Sequence, residues 1–97
     1  MGFTPSRLIV HEPGRVALTF TNDGTIPHTF VIEGRGFKLK AFDAGETASG
    51  TVTLPDGAWF FYCDIRGHRE AGMEGELFVG DTEIPPATTT TMELRSG

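Results

Sequence analysis

Short apolar or alternating runs, each ended by turn residues, follow one another through the first 80 residues, and this rhythm constrains the fold more than any other feature. "SRLIVH" (6–11) is apolar and β-branched and stops at "EPG" (12–14). "RVALTFTN" (15–22) alternates Val16, Leu18 and Phe20 against Arg15, Ala17 and Thr19, the period-two pattern of a half-buried strand, and "DGT" (23–25) breaks it. "HTFVIE" (28–33), "FKLKAF" (37–42) and a strand near 47–53 follow, and "PDG" (55–57) turns the chain again. "AWFFYC" (58–63) is aromatic and continuous, as a central strand would be, and "GELFVGD" (75–81) closes the domain. No stretch holds a 3.6-residue apolar period over three turns, and residues 66–73 have room for one helical turn at most. The expected fold is all-β: a Greek-key β-sandwich of about seven to eight antiparallel strands.

At 97 residues the chain is one small domain that depends on a compact core. Eight phenylalanines, Trp59 and Tyr62 can supply it, and Trp59, Phe60 and Phe61 are expected inside. The expected organisation is an N-terminal extension over 1–6, the sandwich over 7–81, and a Pro/Thr-rich disordered tail or linker over 82–97. Thirteen acidic against eight basic residues, net −5, argue against general nucleic-acid binding. No run of 18 apolar residues is present to span a membrane, although the tail could serve as a tether. No basic-then-apolar leader is visible, so the chain reads as a mature form or as a piece of something larger. Met1-Gly2 with Ser6 fits the N-myristoylation pattern, for which a start methionine is the simpler explanation. A single cysteine excludes an internal disulfide, and with it the bridged sandwich of antibody domains.

That cysteine stands on an even ladder in "FYCDIRGHREAGMEGEL" (61–77), with Cys63, His68 and Met73 five residues apart. Most free cysteines are small buried hydrophobes. A thiolate with imidazole and thioether neighbours, however, makes chemical sense around copper. Soft sulfur ligands suit Cu(I), imidazole also suits Cu(II), and two histidines, a cysteine and a long axial methionine form a blue-copper electron-transfer set. Zinc would more often recruit further Cys or His than a thioether. The ladder supplies one histidine. The second candidate is His28 in "NDGTIPHTFVI", which opens a strand directly after a turn. If strands 28–33 and 58–63 are antiparallel neighbours, His28 and Cys63 fall at the same end of the sandwich. His11 has no such partner spacing and reads as an ordinary surface histidine.

"PHTFVIEG" together with "FYCDIRGHREAGMEGELFV" resembles the cupredoxins, with a Cys-His-Met spacing similar to that in rusticyanin and sulfocyanin. The resemblance covers roughly residues 7–80. It implies one type 1 copper ion cycling between Cu(I) and Cu(II), with His28, Cys63, His68 and Met73 as ligands. It also implies a ring edge of His68 near the surface, where redox partner proteins would dock. The carbonyl of Pro27 is the group that could approach the metal opposite Met73.

The chain departs from the family at two points. Thr29 stands where an asparagine commonly ties the two ligand segments together, and its hydroxyl could still bond the backbone near Asp64. Asp64-Ile65-Arg66-Gly67 replaces the usual x-x-Pro-Gly, which adds charge to the docking surface. Arg66 and Arg69 are expected around the exposed edge of His68, partly offset by Asp64 and Glu70, favouring an acidic or anionic partner. Arg35, Lys38 and Lys40 are expected about 23 Å away, counted at about 3.3 Å per residue along the strand. Alternation puts Tyr62 on the face opposite Cys63, where it would offer a second electron route.

The leading reading is an electron carrier that is not an enzyme, monomeric and acting in a periplasm, lumen or extracellular space as such cupredoxins do. The alternatives are a copper carrier or storage module, or one domain of a larger copper oxidase or nitrite reductase. Three histidines, two of them committed to a type 1 site, are too few for a second copper cluster.

Overall fold

The computed structural model of the chain describes residues 2–10, 13–80 and 90–96. Among these, nine strands form: β1 (Phe3–Thr4), β2 (Arg7–Val10), β3 (Gly14–Asn22), β4 (His28–Ile32), β5 (Phe37–Ala41), β6 (Thr47–Leu54), β7 (Gly57–Tyr62), β8 (Glu74–Val79) and β9 (Thr90–Ser96). They make one sheet in the order β1-β9-β3-β6 and a second in the order β2-β8-β7-β4-β5. The all-β sandwich expected from the sequence is the fold observed, with its apolar faces turned inward.

Alternation does the sorting. On β3, Val16, Leu18 and Phe20 are buried, while Ala17 and Thr19 are only partly covered. Phe20, Phe30 and Phe61 carry the middle of the core, and Phe3 stands edge-on to all three with ring centroids 5.6, 5.7 and 5.2 Å away. Phe60 is a correction to the expected core. On β7 only Trp59 and Phe61 turn inward, and Phe60 is 45 % exposed.

Both chain ends are corrections as well. The expected N-terminal extension contains β1, and Phe3 belongs to the core. The expected disordered tail contains β9, which lies parallel to β3 with Leu94 buried opposite Phe20. The Thr-rich composition concealed an alternating pattern in which Met92 and Leu94 turn inward against Glu93 and Arg95. The rest of that segment, 82–89 and 97, lies outside the described residues, as does His11. The β3/β9 and β2/β8 pairs are parallel, so the sheets are mixed, not purely antiparallel.

The site is positioned by β4 and β7. They pair antiparallel through Val31↔Tyr62 and Ile32↔Phe61, which puts the start of β4 beside the end of β7. Gly75 lets β8 leave the loop after β7 closely: a Cβ there would overlap the Phe61 ring and the Ser6 carbonyl.

Candidate metal centre

His28 is the first residue of β4 and Cys63 follows the last residue of β7. The turn before His28 is held by Asn22, a fully buried side chain at the inward end of β3. Its Nδ2 donates to the carbonyls of Ile26 (2.8 Å) and Ala41 (2.9 Å), and its Oδ1 accepts from the Gly24 amide (2.9 Å). Ala41 pairs with His28 across β4 and β5, so Asn22 fixes both the approach to β4 and its neighbour. Sequence reading missed Asn22. The signal was available, as a polar residue in register with inward-facing Val16, Leu18 and Phe20.

The loop after Cys63 coils back through a helical-type turn. The Ala71 amide donates to the Gly67 carbonyl (3.2 Å) and the Met73 amide to the His68 carbonyl (3.0 Å). Gly67 takes a φ of +83°, the left-handed region that glycine occupies without steric cost. The Cys63 amide then donates to the Met73 carbonyl at 2.9 Å, closing the loop.

This brings the ligand atoms of His28, Cys63 and His68 within 4.8 Å of one another. Cys63 and His28 are buried and His68 is half-buried. The Sγ of Cys63 lies 3.4 Å from Nδ1 of His68, and the two imidazole rings meet edge to face at 5.2 Å. Nδ1 of His28 is buried without a hydrogen-bond partner among the described residues. Burial, and next the proximity of His68, hold the His28 imidazole below its ordinary pKa, so it is poised as a neutral lone-pair donor. Met73 is fully buried at the closing point of the loop. Pro27 is exposed and borders a shallow hollow with Phe42 and Ile65.

Thr29 and Asp64 lie opposite one another where the β4–β7 pairing would continue. The Asp64 amide donates to Thr29 Oγ1 (3.0 Å), and the Thr29 hydroxyl donates to Asp64 Oδ1 (2.7 Å). The Thr29 amide donates to the Cys63 sulfur at 3.4 Å. The shorter side chain therefore does join the two segments.

The charge pattern differs from expectation. Arg69 lies over the Tyr62 ring, 4.3 Å from its centroid, with Glu74 at 3.3 Å and Glu33 at 3.6 Å, so two carboxylates and a ring engage its charge. Asp64 is paired with Lys38 (2.7 Å), and this hydrogen bond is the main reason its carboxyl lies below the usual range. Lys38 is therefore beside the site, not a strand length away. The β4–β5 hairpin folds back, setting Lys40 opposite Thr29 and Lys38 opposite Val31, so counting along the chain overstated the separation. Arg35 does lie apart, bonded to the Thr53 carbonyl and over Trp59. Arg66 is exposed on the loop.

No protein-family model and no curated protein matches the chain. Among solved structures it is similar to auracyanin A, a "blue" copper protein from the green thermophilic photosynthetic bacterium Chloroflexus aurantiacus. That likeness has a TM-score of 0.69 at 18 % identity, over 81 % of this chain and 89 % of that one. The chain has the cupredoxin fold. In this cupredoxin sandwich the His-Cys-His cluster occupies the end of the sheet where β4 begins and β7 stops. The donor set also fits a soft or borderline metal ion: a thiol, two imidazoles, and a buried imidazole nitrogen with no other partner to satisfy it.

Proposed function

We propose that this domain is a one-electron carrier, not an enzyme, with a single type 1 copper ion held by His28, Cys63, His68 and Met73. The observation that supports this most is the unpartnered, buried Nδ1 of His28 in a cluster with Cys63 and His68. A nitrogen so placed costs roughly 1–3 kcal/mol unless something binds it. Copper bound there would accept and release one electron.

The residues divide the remaining work. Cys63 would supply the thiolate to copper, and the backbone amide of Thr29, which donates to its sulfur, would disperse the charge. His28, fully covered, keeps water off the inner side. Met73 is tied to Cys63 and His68 by backbone hydrogen bonds, so its thioether would join the donor set from a place set by the fold. His68, half-buried, would give a path to the surface. Tyr62, bonded covalently to Cys63 and covered by Arg69, offers a second. Redox partner proteins would dock around His68, in a periplasmic, lumenal or extracellular setting. A thiol, two imidazoles and a thioether make a mixed soft and borderline donor set, which supports electron transfer over bond-making chemistry.

The test is one equivalent of Cu(II) added to the metal-free protein, read by visible absorption and EPR. An intense thiolate-to-copper band with narrow hyperfine splitting, absent in Cys63→Ser, is the expected result. An ordinary weak copper spectrum would overturn the reading. Met73→Leu, expected to retain the band with an altered EPR signal, tests the thioether separately.

A further inference from the structure

The geometry points to Asp64 as a positioning residue that, anchored by Lys38, keeps the Thr29 hydroxyl off the Cys63 sulfur and so holds the centre's reduction potential down. The inference rests on the copper reading above and deepens it. Two donors of Thr29 face the sulfur: its amide at 3.4 Å and its hydroxyl oxygen at 3.5 Å. A hydroxyl has one proton to give. Asp64 Oδ1 lies 2.7 Å from the same oxygen, at the short distance of a charge-assisted bond, and takes that proton. The Asp64 amide approaches Thr29 Oγ1 from its own side at 3.0 Å and occupies a lone pair, which further turns the hydroxyl toward the carboxylate. Lys38 Nζ holds the other carboxylate oxygen at 2.7 Å and keeps Asp64 in this pose. The sulfur is left with the Thr29 amide as its donor on this side.

Each hydrogen bond to a copper-bound thiolate withdraws electron density from sulfur and favours Cu(I), raising the potential. Removing Asp64 frees the hydroxyl to turn onto the sulfur. Removing a negative charge also raises the potential by itself, so the two effects must be separated. Asp64→Ala made in the Thr29→Val background carries the same charge change with no hydroxyl to release.

The experiment measures reduction potential and charge-transfer energy for four copper-loaded proteins: unsubstituted, Asp64→Ala, Thr29→Val, and both together. Asp64→Ala is expected to raise the preference for Cu(I) about tenfold more where Thr29 is present, about 59 mV for one electron. The charge-transfer band should move to higher energy only in that protein. Asp64→Asn, which keeps an acceptor oxygen for Thr29, should show the charge effect alone, and it gives the comparison if Thr29→Val does not fold. Equal shifts in both backgrounds, or equal shifts for Asp64→Ala and Asp64→Asn, overturn this assignment while leaving the copper centre standing. No intense band in the unsubstituted protein overturns the copper reading, and this inference with it.

Discussion

The backbone of Cys63 donates to that of Met73 at 2.9 Å, so the loop carrying His68 is closed at its base by the residues that begin and end it. Above that closure Arg69, over Tyr62 and between Glu33 and Glu74, adds to the Thr29–Asp64–Lys38 contacts that hold the loop to the sheet. Arg69→Ala is expected to lower unfolding stability by about 1 kcal/mol, since partly exposed cation–π contacts and ion pairs are individually small. Urea unfolding at low and high salt checks this. The ion-pair share should shrink with salt, and the stacking share should persist.

Asn22 should matter more. Its amide side chain satisfies two carbonyls and one backbone amide in a buried corner, and alanine would strand all three. A loss of about 2–4 kcal/mol is expected in chemical unfolding. Copper affinity should fall as well, because the turn leading into His28 would no longer be fixed. A surface role for Asn22 would leave both measurements unchanged.

The metal-free protein should lose stability as the pH drops below about 6.5. Burial and His68 lower the pKa of His28 in the folded state, so the unfolded chain takes up that proton first. Stability from this residue is therefore complete above the unfolded value. It declines as the pH falls toward the folded value, with a limiting slope of about 1.4 kcal/mol per pH unit for one proton. Thermal unfolding of the apoprotein between pH 7.5 and 5.5 gives the profile. His28→Leu should flatten it.

Leu94 is 1 % exposed and sits beside Phe20 in the register of β9 with β3. Leu94→Ala should cost about 2–5 kcal/mol, the usual range for an aliphatic side chain removed from a core. Denaturant unfolding decides it. A residue in a disordered tail would show no change.

Most of the fold was legible because its strands are amphipathic in the simple period-two sense, as in Val16, Leu18 and Phe20. The clustering of His28 with Cys63 and His68 was legible too, because His28 opens one strand and Cys63 directly follows its antiparallel neighbour. Three things were hidden. β9 was concealed by threonine-rich composition, although Leu94 and Met92 alternate properly. Phe3 gave no pattern at all, since a strand of two residues has no period to detect. Lys38 was misplaced because distance was counted along the chain, whereas the β4–β5 hairpin returns it to Asp64. Charge partners depend on which strands become neighbours, and one-dimensional spacing does not contain that information.

The pairing of β1 with β9, through Phe3↔Ser96 and Thr4↔Arg95, joins the two ends of the described chain. During synthesis β1 thus waits for β9, and the aromatic core that Phe3 completes stays open to water until residue 96 has been made. Such a topology folds late and comparatively slowly, in milliseconds to seconds. A nascent chain of this protein would need shielding until β9 has been made.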